Sequence, residues 1–125
     1  MADLTTYAKN KLVDVMRATT WTTFTPYLAL STTTPTDAGT NFTEPTGNGY
    51  AREAVTFSAP SDGVTANSGE ITMTASGGNW GDITYAGIYD ASTAGNLICY
   101  AALVVTINDG DTLTLAIGDI DFVAA

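Results

Sequence analysis

Residues 79–105 read NWGDITYAGIYDASTAGNLICYAALVV. Two apolar, aromatic-rich runs, Asp82 to Tyr89 and Leu97 to Val105, flank turn-forming residues from Asp90 to Asn96, the pattern by which a sequence writes a hairpin. In the second run the alternating set Leu97, Cys99, Ala101, Leu103 and Val105 is apolar, and so is the complementary set Ile98, Tyr100, Ala102 and Val104. A strand with one wet face alternates apolar with polar residues, so these two strands belong at the centre of a sheet with both faces covered. A two-layer domain supplies a cover for one face. The second calls for a helix or a neighbouring subunit.

Upstream, residues 3–17 (DLTTYAKNKLVDVMR) place Leu4, Tyr7, Ala8, Lys11, Leu12, Val15 and Met16 at helical spacing, with Asp3 or Thr5 as N-cap and Arg17 at the C-terminal end of the dipole. The simpler arrangement packs this amphipathic helix on its own domain; the other lends its stripe to a neighbour. Ala18 to Pro26 is rich in Thr, carries Trp21 and Phe24, and reads as an extended connection. Tyr27 to Thr33 alternates as the first strand of the body, with Leu28 and Leu30 inward and Ala29 and Ser31 outward. Thr34 to Gly49 is a long loop rich in Pro, Gly, Asn and Asp, and loops of such length in compact domains bind something or reach across to a neighbour.

Tyr50 to Phe57 reads as a strand with Ala51, Val55 and Phe57 on one face, and Val64 to Thr74 is strand-like at its end, where Ile71 and Met73 alternate with Thr72 and Thr74. Trp80 stands at the entry of the central hairpin as a cap on the core. Val104 to Ile107 and Thr112 to Ile117 flank Asn108 to Asp111 as a further hairpin, and Ile120 and Phe122 close the chain. The pattern is all-β: a single antiparallel β-sandwich, jelly-roll or Ig-like, of about seven or eight strands with one N-terminal α-helix. Residues 1–25 make the helix and an extended arm, and residues 26–125 the sandwich body.

A chain of 125 residues can bury a core without metal or disulfide help. Cys99, the one cysteine, reads as a small core side chain. The net charge is −9, unevenly spread: Lys9, Lys11 and Arg17 precede the body, where Arg52 is the single base against eleven of the thirteen acids. A body without a basic stripe argues against nucleic acid and against anionic membrane surfaces as partners. No run reaches the length of a transmembrane helix, and the N-terminus lacks the basic-then-apolar layout of a signal peptide, so the encoded chain is expected to be the mature one.

Histidine is absent, which removes Ser-His-Asp, Cys-His and His-ligated metal arrangements. There is no Gly-rich phosphate loop with a lysine and no G-x-G-x-x-G. Acids are plentiful, but no spacing singles out a pair for glycoside hydrolysis. Asp109, Asp111, Asp119 and Asp121 are the one grouping that offers oxygen ligands to calcium, yet the D-x-D-x-D-G pattern is missing and Asp in turns serves backbone hydrogen bonds. Asn41-Phe42-Thr43 matches the glycosylation triplet, which recurs by chance. No catalytic, cofactor-binding or metal-ligating residue is assigned, no cofactor is expected, and the chain is not expected to be an enzyme.

The blocks YLALSTT (27–33), PTDAG (35–39), GYAR (49–52), AVTF (54–57), ANS (66–68), WG (80–81), GIYD (87–90) and GNL (95–97) stand in that order along the chain. In them it resembles a group of small tailed-bacteriophage virion proteins labelled head-decoration (cement) or tail-fibre-like, over nearly its whole length. The resemblance implies a virion structural protein without an enzymatic role. On one reading it is a capsid decoration protein on the outer surface of the head. It is made in the host cytoplasm, forms a homo-oligomer (trimer or dimer), and binds the major capsid protein to stabilise contacts between capsid subunits. The surplus apolar face, the near-neutral helix on an acidic body and the long loop suit that reading. The alternative is a tail-fibre or tail-tip module in which Tyr50, Tyr85 or Tyr89 stacks on host surface glycans. A glycan-active enzyme ranks last.

Candidate interface residues are Tyr7, Lys9, Lys11, Arg17, Trp21, Phe42, Arg52 and Tyr100, with an ordinary ion pair the simpler reading of Arg52. If the helix is a detachable arm, a chain lacking residues 1–17 folds and binds capsids weakly.

Overall fold

The computed structural model describes residues 3–123. Along them run β1 (Asp3–Leu4), α1 (Thr6–Met16), β2 (Tyr27–Ser31), β3 (Glu53–Ala54), β4 (Val64–Ala66), β5 (Ile71–Thr74), β6 (Gly81–Tyr89), β7 (Leu97–Ile107), β8 (Thr112–Leu115) and β9 (Asp121–Val123). One antiparallel sheet, in the order β1-β7-β6-β2-β3, faces the two-stranded ladders β4-β9 and β5-β8 in a sandwich-like arrangement. The fold is all-β with one short N-terminal helix, as the alternation implies.

β6 and β7 are the longest strands and pair at the centre of the large sheet. Asp90 closes the turn between them, its carboxylate accepting the Asn96 backbone N–H at 2.7 Å and the Asn96 side-chain amide at 3.1 Å. The strict alternation expected along β7 breaks twice, opposite Ile83 to Tyr85 and opposite Ile88 to Tyr89. Ile88 faces Cys99 but Tyr89 faces Leu97, so Ile98 is an extra residue on β7. Ile98 and Cys99 therefore both enter the main core, whereas Leu97 lies with Tyr89 and Tyr100 on the opposite face.

The main core joins Leu28, Leu30, Ile83, Ile88 and Cys99 of the large sheet to Ile71 and Met73 of β5, with Trp80 and Ile107 at one end. Trp80 is buried and its indole N–H donates to the Asn48 carbonyl at 2.9 Å. Leu4 packs into this core, and Thr5 caps the helix: its hydroxyl accepts from the Ala8 N–H at 3.3 Å and donates to the Leu97 carbonyl at 2.6 Å. Ala8 is fully buried. The first turn of α1 is thus built into the end of the large sheet. Removing residues 1–17 would strip β1 from β7 and open the core, so that truncation is expected to lose stability and not merely a binding arm.

Three segments differ from their sequence reading. Tyr50 to Phe57 contributes only the two residues of β3, because Tyr50 and Arg52 serve other partners. Val64 to Thr74 divides into β4 and β5 around Asn67. The expected hairpin across Asn108 to Asp111 is a crossing between layers instead: β8 pairs with β5 and not with β7. The Asp111 carboxylate caps the Asn108 N–H at 2.9 Å while the Gly110 N–H bonds the Ala75 carbonyl, which turns the chain out of the large sheet.

Asn67 fixes the second layer. It is 2 % exposed, its amide donates to the carbonyls of Gly69 and Ala116, and its carbonyl oxygen accepts from the N–H groups of Gly118 and Ile120. Replacing it by alanine orphans those groups in a buried turn, which costs ~3 kcal/mol on the scale of lost buried hydrogen bonds. Urea unfolding of Asn67→Ala checks this, and a loss below about 1 kcal/mol would mean the turn finds other partners.

Candidate functional site

The second face of the large sheet carries Ala29, Tyr85, Gly87, Tyr89, Leu97 and Tyr100. Where the sequence led us to expect a helix or a neighbouring subunit, residues 32–52 of the same chain fold across the part of this face from Leu97 to Tyr100. Phe42 meets Tyr89 edge-on, ring centroids 5.2 Å apart at 83°. A Cβ at Gly87 would stand 2.7 Å from Phe42 Cε2 and 2.8 Å from Leu97 Cδ1, so glycine is what lets the ring approach the strand. The Tyr100 hydroxyl donates to the Asp37 carboxylate, and that bond, with burial, pushes the phenol up to about 12. At the β2 edge the Thr32 N–H bonds the Thr43 carbonyl at 2.9 Å, and the Thr43 N–H bonds Ser31 Oγ at 3.0 Å. Ala29 and Ser31, expected to point outward, are fully buried beneath this strap.

Arg52 locks it. Its side chain is 6 % exposed, and it donates from Nε and Nη2 to the two Glu44 oxygens at 2.9 and 2.8 Å and from Nη1 to the carbonyls of Ala91 and Ala94 at 2.8 Å each. The guanidinium lies 3.8 Å from the Tyr89 ring centroid. The Tyr50 hydroxyl donates to Glu44 at 2.7 Å and accepts the Leu30 N–H at 3.0 Å, which caps the β2 edge beyond β3. Burial alone would raise the Glu44 carboxyl, but the hydrogen bonds from Arg52 and Tyr50 and the Arg52 charge outweigh it and hold the group below its ordinary value. Burial raises the phenols of Tyr50 and Tyr89.

The sequence-derived candidates fall into two groups. Phe42, Arg52 and Tyr100 meet on the closed face just described. Tyr7, Lys11 and Trp21 gather with Phe24 and Asp90 around a cavity of about 260 Å³. There Trp21 stacks edge-on to Tyr7 at 6.5 Å, and Lys11 Nζ stands 5.6 Å from the Tyr7 ring centroid. Lys9 and Arg17 are exposed on α1, Arg17 pairing with Asp14 at 3.2 Å.

Tyr89, offered above as a sugar platform, has one ring face under Arg52 and Phe42 at its side. Tyr50 stands edge-on to Trp80 with its hydroxyl engaged. Tyr85 is half-buried beside Tyr100. Asp109, Asp111 and Asp119 accept turn N–H groups of Gly77, Asn108 and Ala116, and among the described residues no group of three or more His, Cys, Asp or Glu is placed to hold a metal ion. Cys99 is buried, and burial pushes its thiol up to about 12. Sequence reasoning missed Asp37 and Asn67, whose partners lie far along the chain, and Glu44, for which the one available signal was that a lone body cation among so many acids must find a carboxylate.

The fold defines a class: an all-β module whose buried polar groups hold its own segments together. A family model described as Podophage GP4 fiber I protein gp80 matches residues 3–123, and the chain belongs to that family. It is a bacteriophage virion structural protein. A search among curated proteins returns no match.

Arg52→Met leaves the half-buried Glu44 without its counter-charge, at an expected cost of ~2 kcal/mol at neutral pH, the scale of hydrogen bonds to a charged group. In the wild type the Glu44 contribution is present above the ordinary glutamate pKa of ~4.3 and is lost as pH falls through its lower folded value. In the variant burial prevails, the folded carboxyl sits above its ordinary value, and protonation relieves the penalty as the pH falls. Urea unfolding between about pH 7 and about pH 3 should show the gap between the two proteins shrinking on acidification. A gap independent of pH would contradict the ion-pair assignment.

Proposed function

We propose that the chain serves as a fibre module of a podophage virion and not as head cement. The observation that carries this is the family match over residues 3–123, whose description names a fibre. The geometry adds support, because the features that suited cement are engaged within the chain. The surplus face is covered by the strap from Leu97 to Tyr100, with Ala102 and Val104 left exposed, the long loop is that strap, and the first turn of the helix is part of the core. What remains is a rigid body suited to stacking with other structural chains.

Glycan recognition by Tyr50 or Tyr89 has little support, since their hydroxyl or ring face is already taken up. Absence of catalysis is part of the same reading: the body's one base and its Glu44 partner neutralise each other, and the thiol is buried in its protonated form.

Quantitative gel analysis of purified virions, with antibody labelling under the electron microscope, tests the assignment. Label confined to the tail, in a copy number far below that of the major capsid protein, is expected. Label over the whole head at a copy number comparable to the capsid protein would restore the cement reading.

A further inference from the structure

Among the described residues, two of the uncovered apolar surfaces carry opposite charges. The first is the solvent side of α1. Lys9, Leu12, Val13 and Met16 stand at i, i+3, i+4 and i+7, which places them on one stripe. All four are exposed, Met16 at 87 %. Ala8 is buried and Tyr7, Lys11 and Asp14 are half-buried, which puts the inward side of the helix on those positions and leaves the stripe turned toward solvent.

The second surface is concave. A cavity of about 210 Å³ lies between the large sheet and the segment carrying β8 and β9, with Phe57, Ala101, Leu103, Leu115 and Phe122 among its walls. That exceeds the ~150 Å³ at which an apolar cavity takes up benzene. Among the described residues, β1 is the one strand on the outer side of β7 and reaches only Cys99 and Tyr100, so the cavity stays uncovered beside Ala101 and Leu103. Asp119 and Asp121 line it and are exposed. Three of the chain's four cations, Lys9, Lys11 and Arg17, belong to the α1 segment, while the fourth is locked against Glu44.

We propose that the α1 stripe of one copy docks into this cavity of a second copy, Leu12 and Met16 entering the apolar gap and Lys9 meeting the carboxylates of Asp119 and Asp121. Apolar burial supplies the attraction, and the charges select the helix over other apolar segments of an otherwise acidic chain. The contact concerns copies of this chain in solution, so it goes beyond the fibre assignment and stands or falls separately from it.

Sedimentation velocity over a concentration series tests it on the full chain. The wild type is expected to self-associate. Lys9→Glu and Asp121→Lys should each weaken that association by about tenfold, and the double variant should restore it. An equimolar mixture of the two single variants should associate more tightly than either alone. Both positions are exposed, and an unchanged urea midpoint verifies that each variant is folded. A wild type that stays monomeric, or association indifferent to both reversals, or a double variant without rescue would each overturn the proposal. So would loss confined to Val104→Lys, which would put the contact on the open edge of β7, where Val104 is 83 % exposed.

Discussion

The fold depends on one requirement: a guanidinium taken out of water must have its donors met. Arg52 satisfies it by drawing three separated segments together, the strap through Glu44, its own strand approach, and the β6-β7 turn through the carbonyls of Ala91 and Ala94. An uncompensated buried charge costs several kcal/mol, whereas a matched one fixes which segments lie side by side. Phe42 and Tyr89 then pack where the ion pair has set them, and Ala29, Leu97 and Tyr100 are buried with them on the second face. Tyr50 extends the same logic to the backbone, since its hydroxyl replaces the strand partner that Leu30 lacks.

This arrangement explains why a chain of one domain can afford two apolar faces on β7. The ladders β4-β9 and β5-β8 cover one of them, and a loop without regular structure covers the other as far as Tyr100, leaving Ala102 and Val104 exposed. The remaining apolar surface is displaced to the rim of the body, on α1 and at the open side of the sandwich beside β7.

The central hairpin, the helix, the capping Thr5 and the buried Cys99 and Trp80 were legible because each follows from local spacing or from side-chain type. The register slip at Ile98 was not, since nothing in LICYA marks which residue is extra. The partner of β8 was not either: Thr112 to Leu115 alternates equally well beside β7 or β5, and only the turn chemistry of Asp111 and Ala75 decides it. The cover of the second face was read as a helix or a neighbour because an irregular loop leaves no periodic trace of what it lies on. Glu44 and Arg52 are close in sequence, but the carbonyls that complete the site come from the far side of the hairpin.

Hydrogen exchange of the purified protein, followed as a function of its concentration, tests most directly whether the chain closes its own second face. The informative amides are Leu30, bonded to the Tyr50 hydroxyl, Thr32, bonded to Thr43, and Thr43, bonded to Ser31. Closure by the strap predicts slow exchange at these positions that does not change on dilution. Rapid exchange in dilute solution, slowing only as copies associate, would contradict it and show that a neighbour covers the face.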